Sequence, residues 1–345
     1  MKALRSIPLL CLALPFLATA GDTPNPALLV LEKQQDTLVI VDPATLTIVA
    51  RVPVGDDPHE VAVSDDGRTA YISNYGGLRG NGGGNTISVV DLVAQKPLAP
   101  IDLGALRAPH GLAFAGGKLY FTAETAKAIG RYDPATGKID WILGTGQNRT
   151  HMVAVSRDLK TIFTANVNSS TISIIDQSAI QPPPPGPQPP GAPAHARDWS
   201  VANVAVGHGS EGFDITPDGK QLWVANARDR TISVIDIATR KVIDTIPSTG
   251  AANRLKITPD GKYAFVSDMS ANELLVVDTA TRHEYKRIKL PSSSEGLLME
   301  PDGQRVYTTL NTRDSVAVID LKTFTVTGEV RTGRGPDGLA WAVRH

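Results

Sequence analysis

An all-β, seven-bladed propeller is the fold class this sequence predicts, and three observations predict it. An apolar run closed by aspartate recurs at Asp42, Asp91, Asp133, Asp176, Asp236, Asp278 and Asp320, spaced 49, 42, 43, 60, 42 and 42 residues apart. Within each unit, short β-branched runs alternate with turn residues, so the period is that of strands and not of helices. The chain also ends on GLAWAV, from Gly338, the same kind of segment that opens other units, such as GLAFAG at Gly111. Four strands in a unit of this length make a propeller blade.

Taken in order, the chain opens on an export signal. Lys2 and Arg5 precede an apolar run from Ile7 to Leu17, and Ala18-Thr19-Ala20 supplies small residues for cleavage before Gly21. Residues 1–20 are therefore read as a signal peptide, too short to span a bilayer, which needs about 20 apolar residues. Residues 21–345 are expected to form one propeller domain, periplasmic or secreted. The only cysteine, Cys11, lies inside the signal, which leaves the mature chain without disulfide, c-type haem attachment or thiolate metal site. The 34 Lys and Arg stand against 35 Asp and Glu, and no basic cluster appears. That balance speaks against nucleic acid as a partner.

The first unit, from Ala27 to Val52, has room for only three strands, and the C-terminal segment from Pro336 supplies the fourth. Such a closure ties the ends of the chain together and removes an open sheet edge. Asp65-Asp66-Gly67, Pro217-Asp218-Gly219, Pro259-Asp260-Gly261 and Pro301-Asp302-Gly303 read as type I turns with glycine at the left-handed position. The repeat aspartates, in contexts such as DPAT, DIAT and DTAT, read as turn formers that bond nearby amides. The two long spacings contain insertions. One is the glycine-rich stretch from Gly76 to Asn85, a flexible lip or plain loop. The other is the proline-rich stretch 181–193, expected to be extended and to project from the opposite face.

Tyr71-Ile72-Ser73-Asn74-Tyr75 followed by Thr86-Ile87-Ser88-Val89-Val90-Asp91 resembles the YVTN repeat of bacterial β-propeller proteins, as does VANARDRTISVIDIATRKV. The resemblance extends over residues 27 to 345 and implies the scaffold. It does not select an activity, because folds of this kind host several.

Propeller geometry places the first residue of each inner strand at one mouth of the central channel. Those positions read His59, His110, His151, Glu211, Arg254, Glu295 and Asp337. A second ring from the loops between second and third strands adds Glu32, Asn74, Glu124, Asn166, Asn226, Asp268 and Asn311. His59, His110, His151 and Asp337 have the chemistry of a site for one divalent first-row metal ion. Equally, they could be polar residues lining a wet channel. Glu211, Arg254 and Glu295, with Asn74, Glu124 and Asn166, are the ligand-binding candidates; Arg254 would either clamp an anion or neutralise its acidic neighbours. Two functions are open. One is an exported binding or scaffold propeller acting on a small molecule or protein through the mouth with His59, His110 and His151. The other is a metal-assisted hydrolase or lyase, lactonase-like, at the same place. No catalytic residue is assigned.

Overall fold

Each strand run is apolar without a break because each blade is buried on both faces. The computed structural model describes residues 21–77, 83–179 and 197–345. The expected signal peptide, the proline-rich stretch 181–193 and residues 78–82 of the glycine-rich loop lie outside the described residues. The described chain forms seven four-stranded antiparallel sheets, the blades, numbered here by their order in the chain. In the first strand of blade 1, Leu28 and Val30 pack against blade 7, while Leu29 and Leu31 pack against blade 2. The period of two thus sorts side chains between two interfaces rather than between core and water. Seven apolar clusters result among the described residues, one at each junction between neighbouring blades.

Closure follows the expectation. The C-terminal strand Pro336–Ala342 pairs antiparallel with Ala27–Glu32, with Leu28 opposite Trp341 and Leu29 opposite Ala340. It becomes the inner strand of blade 1. The inner strands of blades 2 to 7 are Pro58–Val63, Pro109–Ala115, Thr150–Val155, Ser210–Ile215, Ala252–Ile257 and Leu297–Met299. Each contacts the inner strands on either side, so together they wall the central channel.

The turns behave as their sequences predict. Ser64, Ser156, Thr216 and Thr258 each donate to an aspartate two residues on, at 2.5–2.6 Å, and accept the amide three residues on, at 2.8–2.9 Å. Among the repeat aspartates, Asp42, Asp91, Asp133, Asp236, Asp278 and Asp320 accept amides two or three residues ahead.

Candidate functional site at the channel mouth

Register decides which side chains reach the mouth. A bulge follows the residue pairs Pro58–Asn74, Pro109–Ala123, Thr150–Asn166, Ser210–Asn226, Ala252–Asp268 and Pro336–Glu32. The ring position is the next residue along each inner strand. It holds His59, His110, His151, Glu211, Asn253 and Asp337, and by the same count Glu295 in blade 7. Arg254 is therefore one residue deeper than the sequence placed it, and Asn253 takes its place in the ring. ANRL offers two polar residues in succession, and the slip of one is invisible until strand pairing fixes it.

At the deeper level, Arg254 reaches across from blade 6 to Glu60 of blade 2 and forms a close ion pair. Burial raises the Glu60 carboxyl above its ordinary range, and Arg254 only partly offsets this. The arginine thus pairs with an acid across the channel, and its charge also acts on Glu211 and Glu295, the two acids expected. Its Nη1 is buried and has no hydrogen-bond partner among the described residues.

The three histidines do come together. The rings of His59 and His110 are 5.0 Å apart between centroids, and those of His110 and His151 are 3.6 Å apart at an interplanar angle of 35°. Gly111 permits this approach: a Cβ there would lie 2.5 Å from the His151 carbonyl oxygen. Among the described residues, no group of three His, Cys, Asp or Glu side chains is placed to hold an ion. His110 and His151 lie ring over ring, so their in-plane lone pairs cannot meet at one point. Both His151 nitrogens are also engaged, Nδ1 with Glu124 at 2.5 Å and Nε2 with Glu211 at 2.9 Å. Asp337 is held by Lys33 at 3.0 Å. Of the set His59, His110, His151 and Asp337 expected from sequence, the three histidines lie together and Asp337 is paired with Lys33.

What forms instead is a buried ionised network. Both His151 nitrogens face carboxylates, a setting that favours the doubly protonated ring. Burial opposes its charge, but Glu211 and Glu124 outweigh burial and raise its pKa. In return, and against burial, His151 and Arg149 hold the Glu211 carboxyl down at about 2. Glu124 is lowered in the same way and also accepts the Tyr75 hydroxyl at 2.7 Å. Arg149 lies 3.3 Å from Glu124 and 3.6 Å from Glu211. His110 is the opposite case. Burial, followed by the charge on His151, pushes its pKa well down. It is a neutral imidazole, and its buried Nδ1 has no partner among the described residues.

The second ring divides in two. Asn74 and Asn166 serve their own blades: Asn74 donates to Thr86 and Ser88, and Asn166 to Thr171 and Ser173. Glu124 and Asn311 sit one residue further on, where Ala123 and Leu310 hold the position equivalent to Asn74. That later position also carries Lys33 and Tyr75, and these four turn toward the ring. Asn311 bonds Glu295, whose carboxyl is raised by burial and by Asp337. Sequence reasoning missed Tyr75, Arg149, Lys33 and Glu60. The available signal was that the later position is Val167, Ala227 and Met269 in three other blades, so a charge or phenol there departs from the repeat.

Above the network lies an open depression of about 690 Å³ lined by Tyr75, Glu124, Thr125, Lys127, Asn148, Arg149, Asn168 and Arg228. The described ends of the glycine-rich stretch lie beside the mouth: Gly77 donates to Asp57, and Gly83 accepts from Arg107.

A family model for YNCE-like beta-propellers matches residues 197–302, the stretch of blades 5 and 6 with its flanks. Over that stretch the chain is similar to YNCE-like beta-propellers. No curated protein matches it in sequence. Among solved structures it is similar to a functionally unknown protein from Desulfotomaculum acetoxidans, at 12% identity and a TM-score of 0.73, over 93% of this chain and 100% of that one. It is also similar to the dihydro-heme d1 dehydrogenase NirN, at 16% identity and a TM-score of 0.65, over 92% of this chain and 66% of that one. Hydrazine synthase from Kuenenia stuttgartiensis matches at 20% identity and a TM-score of 0.65, over 83% and 90%. At these identities the likeness is one of fold. No helix among the described residues is long and apolar enough to cross a membrane.

Proposed function

We propose that this chain is an exported binding propeller that takes a small ligand at the mouth bearing His59, His110 and His151. One observation supports the reading above others: the open depression rests on Tyr75, Glu124 and Arg149, which are fixed from below by a buried network of ion pairs and hydrogen bonds. A pocket with convergent polar groups and shifted titration is the ordinary form of a ligand site. Such a floor is preorganised, so binding costs little side-chain ordering.

The test is capture from an extract of the native host. Immobilised mature protein retains a small molecule detectable by mass spectrometry, and Arg149→Ala or Glu124→Gln protein does not. Equal recovery from wild type and both variants refutes the reading.

A hydrolase or lyase at the same mouth is favoured by one observation, the neutral His110 with its free, buried Nδ1. A neutral imidazole accepts a proton at neutral pH. Turnover of the captured molecule that is lost in His110→Gln would establish it. Export rests on residues 1–20, and protein from the native host is expected to begin at or near Gly21. An intact Met1 on mature protein would refute it.

A further inference from the structure

We propose that the ligand of the mouth depression is anionic, bound through a carboxylate or phosphate group by Lys127, Arg149 and Arg228; this rests on the binding reading above. The depression draws cations from three blades. Lys127 follows the second strand of blade 3, Arg149 precedes the inner strand of blade 4, and Arg228 follows the second strand of blade 5.

The acids in reach are already engaged. Glu124 is the one carboxylate among the lining residues, and Tyr75, His151 and Arg149 hold it. Glu211, behind Arg149, is held by His151. Asp229, beside Arg228 in the chain, accepts from His208 at 2.9 Å. His151 and Arg149 together neutralise Glu124 and Glu211. Lys127 and Arg228 then stand as excess positive charge on an exposed rim.

The cations are also placed by the backbone. Arg149 has φ 57° and Lys127 φ 51°, in the left-handed region that side chains with a Cβ rarely occupy. The residue directly before the inner strand has a positive φ in blades 1 to 5, as Gly335, Asp57, Ala108, Arg149 and Gly209 in turn. Arg228 is supported by Asn168, which accepts from its Nη2 at 2.9 Å. Gly209 leaves room for its stem, since a Cβ there would lie 2.9 Å from the Arg228 Cγ. Two guanidinium groups and an ammonium on one side of an open pocket suit carboxylate or phosphate oxygens.

Calorimetric titration of the mature protein with succinate and with inorganic phosphate, against uncharged succinamide, tests this. At least one anion binds and succinamide does not. Lys127→Ala and Arg228→Ala each weaken the anion roughly fivefold to tenfold, and added salt weakens it further. Three results overturn the proposal: neither anion binds, succinamide binds as well as succinate, or a variant carrying both Lys127→Ala and Arg228→Ala binds the anion unchanged. The last would mean adventitious contact. If the proposal fails while a neutral molecule is still captured from extract through Arg149, the binding reading stands and only the anionic class falls. If nothing is captured, the binding reading itself falls.

Discussion

The two faces of the propeller follow opposite rules. On the face of the aspartate turns, four blades repeat one device: a serine or threonine bonds an aspartate two residues on and accepts the amide three residues on. On the mouth face, the ring position reads histidine, histidine, histidine, glutamate, asparagine, glutamate and aspartate in blades 2 to 7 and 1. Uniform chemistry answers a demand that every blade shares, the making of a tight turn. Where neighbours differ from blade to blade, no shared demand explains them, and their contacts run between blades. The difference separates what builds this molecule from what it can act with.

The largest expected effect removes the element both faces depend on. Deleting residues 336–345 takes the inner strand from blade 1 and exposes Ala27–Glu32 as an open edge of buried residues. Aggregation is expected, not a modest loss of stability. Sedimentation of the truncated protein as a folded monomer would contradict this.

Within the mouth, His151→Ala leaves Glu124 and Glu211 buried with Arg149 as their shared cation. Removing one member of a buried charge network costs about 3–5 kcal/mol. Chemical denaturation should show that loss, and adding Glu211→Gln should recover part of it. A fully additive double variant would mean that the two residues are not coupled.

The histidines also give the mouth a pH signature of two signs. The folded pKa of His151 is raised, so its contribution is fully present below the unfolded value near 6.5 and is lost as pH rises through the folded value. The folded pKa values of His110 and His59 are lowered, so these two contribute instability as pH falls below about 6.5, where only the unfolded chain takes up their protons. His151→Gln should therefore lower stability at acid and neutral pH and abolish its loss on the alkaline side, whereas His110→Gln should abolish the loss on the acid side. Unfolding curves of each variant against wild type from pH 5 to 9 would separate them; parallel curves would refute the assignment.

The scaffold was legible because each blade restates it. Seven aspartate-closed runs, glycine-bearing turns and a returning C-terminal strand all express local rules that sequence shows directly. The ring was legible in six of its seven members for the same reason. Arg254 was misplaced because Asn253 and Arg254 are both polar, and only the pairing of Leu255 with Val266 fixes which of them faces the ring. The histidine cluster was visible as a juxtaposition, but its chemistry was not. Whether three imidazoles hold a metal or an ionised network depends on Glu124, Tyr75 and Arg149, which arrive from other strands. Asn74 and Asn166 bond hydroxyl groups of their own blades, and Asn226 at the matching position lies against Thr231 and Ser233 in the same way.

The smallest expected effect tests the comparison most directly. Asp218 sits on the uniform face, where it accepts from Thr216 at 2.6 Å and from the Lys220 amide at 3.1 Å. The Thr216 hydroxyl and the Lys220 amide hold its carboxyl below the ordinary range, but the group is in water, and screening leaves little of that as stability. Asp218→Ala should therefore cost about 1 kcal/mol or less, the scale of one or two exposed hydrogen bonds. It should leave every property of the mouth unchanged, including capture from extract, anion affinity and the pH signature of His151. Arg228→Ala is the mirror case: an exposed side chain on the uneven face whose loss should barely move the unfolding midpoint while weakening the bound anion. Measuring midpoint and affinity on both variants gives four numbers. If Asp218→Ala weakens binding, or Arg228→Ala costs as much stability as His151→Ala, then repetition and difference do not divide scaffold from site in this protein.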